Sequence, residues 1–225
     1  MTRKLSLLAL PLMCLSLMSM QNQKPVKVIL FGDSITEMGV QPGGYIDKMR
    51  KILKEQNSAA TNYQLIGAGV SGNKVYDLYL RLEEDVITQK PDWVFIYVGV
   101  NDVWHRKSFG TGTDPDKFEK FYVAIIRKLQ AAGIQVALCT PAVIGEKGDG
   151  KNELDADLNK FSEIIRRVAA KFGLPVCDLR RVFMDYVAQN NKENKEKGIL
   201  TTDGVHLNDA GNRMVAEEML KILGE

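Results

Sequence analysis

Four short segments hold residue types that hydrolytic chemistry needs. Ser34 stands in Phe31-Gly32-Asp33-Ser34-Ile35-Thr36. A serine hydroxyl is a weak nucleophile and needs an imidazole to take its proton. The chain contains two histidines, His105 and His206, so the search for that base is short. His206 lies in Thr202-Asp203-Gly204-Val205-His206-Leu207-Asn208. The spacing lets Asp203 fold back through Gly204 toward the ring Nδ1, where it would fix the tautomer and stabilise an imidazolium. Donors for a developing oxyanion are also at hand. They are the Ser34 backbone N–H, the Gly72 N–H of Gly69-Val70-Ser71-Gly72, and the Asn101 amide of Gly99-Val100-Asn101-Asp102.

Taken singly, each segment has a plainer reading. Ser34 could cap a helix or belong to a phosphate-cradling loop. Asp203 and His206 also suit a helix-capping loop with a surface histidine, and Asn-Asp is ordinary turn chemistry. Two other active-site patterns fail on spacing. The second glycine of Gly69-Val70-Ser71-Gly72 comes one place early for a G-x-S-x-G elbow, and no P-loop lysine pattern occurs.

The elements that must position these groups alternate along the chain. Apolar runs at Val26–Phe31, Tyr63–Ala68, Asp92–Val98, Gln135–Thr140 and Pro175–Leu179 are nearly continuous. Such runs are expected of parallel strands covered on both faces. Helical spacing of apolar residues follows at Tyr45–Glu55, Lys117–Ala132, Leu154–Phe172 and Asp209–Leu223. Alternation of this kind predicts a doubly wound, five-stranded parallel sheet, with function gathered outside the carboxyl ends of its strands. The Ser34, Gly72 and Asn101 clusters fall just past three of those ends.

In this order the four segments resemble the blocks of the SGNH (GDSL-type) hydrolase superfamily. The matching blocks are Gly32-Asp33-Ser34, Gly69-Val70-Ser71-Gly72, Gly99-Val100-Asn101-Asp102 and Asp203-Gly204-Val205-His206. They reach across nearly the whole chain after its N-terminus. The resemblance implies a flavodoxin-like, three-layer α/β/α sandwich and a carboxylic ester hydrolase. It also implies a Ser34, His206, Asp203 triad and a three-donor oxyanion hole of Ser34, Gly72 and Asn101. Ile35-Thr36 departs from the commoner Leu-Ser, and Gly67 stands where an Asn often precedes the glycine block. No metal or organic cofactor is expected.

Candidate substrate contacts are Asp33, Trp104 and His105. Trp104 would serve as a platform for a sugar face or an acyl chain, or would tuck its loop onto the domain. His105 also reads as a solvated loop residue. The polar stretch 106–116 is expected to overhang the oxyanion side as a loop, and Gly145–Asn152 to form a second, flexible rim. Lys192–Lys197 reads as a solvated face or a linker.

The N-terminus differs in kind. Thr2-Arg3-Lys4 precedes an apolar run from Leu5 to Met20, then Gln21-Asn22-Gln23-Lys24-Pro25. This is the layout of a signal peptide over about residues 1–20, ahead of a hydrolase domain at 25–225, and it predicts a secreted or periplasmic protein. Cys14 raises a lipoprotein anchor as an alternative, although Pro11-Leu12-Met13 lack the small residues such processing wants, and an uncleaved anchor is the other. The chain carries 30 Lys and Arg against 28 Asp and Glu, and loss of Arg3 and Lys4 balances them. Neutral charge offers no electrostatic case for nucleic acid or an anionic membrane surface. Cys139 and Cys177 read as buried thiols rather than a disulfide framework. The expected substrate is a short-chain acyl ester such as acetylated carbohydrate. A lysophospholipase or thioesterase is the alternative within the scaffold, and a non-catalytic carbohydrate- or lipid-binding protein the alternative outside it.

Overall fold

A computed structural model describes residues 24–55, 63–148 and 150–224. The signal-peptide segment and Cys14 lie outside the described residues. Five strands form one all-parallel sheet: β1 (Val26–Gly32), β2 (Tyr63–Gly69), β3 (Trp93–Tyr97), β4 (Gln135–Cys139) and β5 (Val176–Cys177). Their spatial order is β2-β1-β3-β4-β5. Eight helices connect and cover them among the described residues: α1 (Ser34–Gly39), α2 (Tyr45–Glu55), α3 (Val75–Asp85), α4 (Val100–Ser108), α5 (Pro115–Ala131), α6 (Asp155–Phe172), α7 (Leu179–Asn190) and α8 (Asp209–Leu223).

The continuous apolar runs are explained by the two cores that sandwich the sheet. Strand side chains alternate between faces. Val28 and Leu30 join one core with Tyr45, Met49, Phe183, Val215 and Met219, from α2, α7 and α8. Ile29 and Phe31 join the other with Leu78, Ile125, Leu129, Phe161 and Ile165, from α3, α5 and α6. Neither face of the central strands meets water, so neither face tolerates a polar residue. The result is the three-layer α/β/α sandwich expected.

Helices α1, α3, α4 and α7 add to the four that the apolar spacing predicts. Two of them carry a plain signal: Val75, Leu78 and Leu82 on α3, and Leu179, Phe183 and Val187 on α7, are buried at helical spacing. Helix α7 also shortens the last strand. The run Pro175–Leu179 yields only Val176–Cys177, because Asp178 caps α7 and Leu179 opens it. Helix α4 corrects the expectation of a loop from residue 106, since the chain stays helical to Ser108. Cys139 and Cys177 are register partners across β4 and β5, both buried and free.

One buried ion pair holds α6, α7 and the segment after β4 together. Arg180 Nη2 lies 2.8 Å from Asp155 Oδ1, with both side chains at most 3% exposed. The guanidinium also donates to Asn159 Oδ1 and the Ala142 carbonyl. Removing Asp155 strips a close charged partner from a buried guanidinium and leaves its other contacts to carry the charge. Asp155→Ala is therefore expected to lower unfolding free energy by about 2–3 kcal/mol in urea titration. A loss below about 1 kcal/mol would show that the pair does not hold these elements.

Candidate active site

Strand β1 sits between β2 and β3, so successive connections leave it in opposite directions. That reversal opens a crevice at the carboxyl ends of β1 and β3, where doubly wound sheets bind ligands. The sequence delivers Ser34 to one side of this crevice and Asn101 to the other. A Cβ on Gly32 would stand 2.3 Å from the Tyr97 carbonyl oxygen, so only glycine lets the end of β1 approach β3 so closely.

Ser34 opens α1 and is 9% exposed. Asp33 is the N-cap: its Oδ1 accepts from Ile35 N–H at 3.0 Å, and its carbonyl accepts from Thr36 and Glu37. Ser34 Oγ lies 3.0 Å from His206 Nε2, across 172 residues of sequence. His206 Nδ1 lies 2.7 Å from Asp203 Oδ2. The other oxygen, Oδ1, accepts from the Val205 and His206 backbone N–H groups. Burial pushes the Asp203 carboxyl up, but the ring contact and these two N–H donors outweigh it and hold it below its usual range. Hydroxyl, imidazole and a persistent carboxylate in this order can move a proton from Oγ onto the ring.

The three proposed oxyanion donors surround the same crevice. The Ser34 N–H lies in the first turn of α1 and makes no hydrogen bond among the described residues. The same holds for the Gly72 N–H, presented by a residue at φ +77°, which favours glycine. Asn101 is 3% exposed in the first turn of α4, and its Nδ2 donates to the Asn73 carbonyl at 3.1 Å. One amide hydrogen is thereby committed, and the other is left for a ligand. The glycine-bearing loop is anchored by Glu37 of α1, whose carboxylate accepts from both the backbone N–H and the hydroxyl of Ser71.

The segment after β4 departs most from expectation. Gly150 and Lys151 are exposed, as a rim would be, but Glu146 is fully buried. Its carboxylate accepts from the N–H groups of Ile199, Leu200 and Thr201 at 2.7, 2.5 and 2.7 Å. Gly145 N–H donates to the Gly204 carbonyl, and Gly204 N–H to Thr201 Oγ1. An antiparallel bridge between Thr201 and Leu207 closes the turn that carries Asp203 and His206. No motif marks Glu146 in the sequence, since a lone glutamate among glycines and lysines looks solvent-exposed. Asn191 reinforces the join by donating to the Glu146 and Lys195 carbonyls, so 192–197 is a held loop rather than a linker.

The candidate substrate contacts separate. Asp33 is 1% exposed and serves as a cap within the packed interior, not as a wall of the cleft. Trp104 and His105 are half-buried on α4, with the His105 ring between Trp104 and Phe109. Burial, with Lys74 nearby, lowers the His105 pKa. Among the described residues no group of three or more His, Cys, Asp or Glu could hold a metal ion.

Two carboxyls beneath the crevice are costly to ionise. Burial raises Asp33 and Asp102 each to about 7, against an ordinary value of 3.8. For such a group the unfolded chain releases its proton first as pH rises. Stability therefore falls between about pH 4 and pH 7 and levels off above. Asp102→Asn removes this penalty and keeps an acceptor for the Val75 N–H, which Asp102 meets at 3.2 Å. Its Tm relative to the parent is expected to be higher at pH 8 than at pH 5 in calorimetry. A difference independent of pH would contradict the buried ionisation.

Comparisons with known proteins identify the family. The model of the GDSL-like lipase/acylhydrolase family matches residues 30–214. A crystal structure of an acetyl xylan esterase, AlAXEase, is 58% identical, with a TM-score of 0.85 over 87% of this chain and 98% of that one. The acetylxylan esterase of Geobacillus stearothermophilus is 28% identical, over 88% of this chain and 94% of its own length. The uncharacterized lipoprotein YqeF of Bacillus subtilis is 26% identical, over 84% of this chain and 86% of its own length. The chain belongs to the GDSL-like lipase/acylhydrolase family and is a carboxylic ester hydrolase.

Proposed function

We propose that this chain is an exported esterase that removes short acyl groups, acetyl foremost, from carbohydrate. Ser34 is the nucleophile, His206 the general base and acid, and Asp203 the carboxylate that orients the ring. The observation that carries this reading is the continuous contact from Ser34 Oγ through His206 to Asp203, at 3.0 and 2.7 Å. Similarity to two acetylxylan esterases supports acetyl as the acyl group and a carbohydrate as the alcohol. The signal-like N-terminus, with YqeF described as a lipoprotein, supports export ahead of a hydrolase domain at 25–225.

In the first half-reaction Ser34 Oγ attacks the ester carbonyl while His206 Nε2 takes its proton. The tetrahedral oxyanion receives hydrogen bonds from the Ser34 and Gly72 N–H groups and the Asn101 amide. Asp203 stabilises the imidazolium, which then protonates the leaving alcohol oxygen as the C–O bond breaks. Water, deprotonated by the same imidazole, releases acetate and restores the serine. None of these steps calls for a metal or an organic cofactor.

Ser34→Ala is expected to lower kcat on p-nitrophenyl acetate by about 10⁴-fold or more with the fold intact. Retained turnover would overturn the nucleophile assignment. Asn101→Ala is expected to lower kcat by about 10²–10³-fold as one donor is lost. A change confined to KM would instead make Asn101 a ground-state binding group. Substrate class is tested by a panel of acetyl to palmitoyl esters alongside acetylated xylan. Acetyl should be preferred and acetate released from the polymer, whereas a maximum at long acyl chains would favour a lysophospholipase or thioesterase.

A further inference from the structure

Resting on that reading, we propose that the sugar whose ester is cleaved occupies a cavity of about 410 Å³ between Trp104 and the Asp203–Val205 turn, with Trp104 as its stacking platform. Proton flow sets the side. His206 Nε2 must reach the leaving oxygen, so the alcohol portion has to lie on the histidine side of the scissile bond. This cavity is walled by the turn immediately preceding His206. Trp104 also lines it, three residues beyond Asn101 and hence about one turn further along α4. The cavity therefore joins the helix that carries Asn101 to the turn that carries the acid–base group.

The lining selects a polyhydroxylated ring over an acyl chain. Trp104, Ile144 and Val205 supply an apolar patch, while Lys151, Asn152 and Glu153 bring polar atoms to the same space. Lys151 makes no ion pair among the described residues. A hydrocarbon chain here would strip water from these charges without replacing it. A pyranose presents both kinds of surface. Its slightly positive C–H face meets the negative face of the indole, and its hydroxyls meet the polar rim. A second cavity, of about 420 Å³, lies on the other flank of the His206 turn beside Ile35, Met38 and Gln41, and no aromatic ring lines it.

The test separates binding from turnover. In a Ser34→Ala background, calorimetry would measure the affinity for acetylated xylotetraose with Trp104 intact, as Trp104→Ala and as Trp104→Phe, with Met38→Ala as the second-cavity control. Trp104→Ala should weaken binding by about tenfold or more, and Trp104→Phe should restore most of it. With Ser34 present, Trp104→Ala should lower the ratio of kcat/KM on acetylated xylotetraose to that on ethyl acetate by about tenfold. Ethyl acetate has no ring to stack. Unchanged affinity, equal losses on both substrates, no binding by the Ser34→Ala protein, or a loss produced by Met38→Ala instead would overturn the assignment. Binding that depends on Trp104 with no acetate released by the parent would leave the cavity standing and sink the proposed substrate. Acetate release with Trp104-independent binding would do the reverse.

Discussion

The contact between Ser34 and His206 is the constraint to which the rest of this structure answers. Two side chains 172 residues apart must hold 3.0 Å. A proton can pass at that distance but not at one ångström more. Neither residue belongs to the sheet, yet both are delivered by it. Ser34 is locked to the end of β1 by its own helix cap, and His206 hangs in a short bridged turn ahead of α8.

Several polar contacts hold the segments around that pair in place. Glu146 receives three backbone N–H groups from the segment leading into Asp203, which ties the chain after β4 to the chain before α8. Glu37 ties the Gly72 loop to the helix that Ser34 opens, and Asn73 orients the Asn101 amide. Each is a short bond between segments distant in sequence. Together they leave the site few rotamers to explore, and so little entropy to lose when a substrate binds.

That order has an electrostatic cost beneath the crevice. Asp33 and Asp102 are buried deeply enough to resist ionisation near neutral pH. Asp33 caps the helix of the proposed nucleophile, and Asp102 on α4 accepts from the first N–H of α3, so both act as acceptors for helix N-termini. A smaller apolar residue would leave those N–H groups unpaired. An electrostatic cost of this kind is accepted where function requires backbone to be held still.

Much of the molecule was legible in the linear order of residues. Continuous apolar strands required two covered faces, and hence a parallel sheet with helices on both sides. Crossover geometry then required Ser34, Gly72 and Asn101 to emerge at one edge, and a chain with two histidines left few partners for the serine. Tertiary structure alone decided the rest. Glu146 looked like a surface charge because the N–H groups that bury it come from more than fifty residues away. Asp33 looked available to substrate because nothing local shows that its carboxylate turns inward to cap α1. Helix α4 was hidden by Gly99-Val100-Asn101-Asp102, whose residue types favour turns, until packing of Val100 and Val103 made the helix the better burial. Residue type and spacing determine which chemistry is available. The burial of each polar group depends on which distant backbone it meets, and only the folded chain decides that.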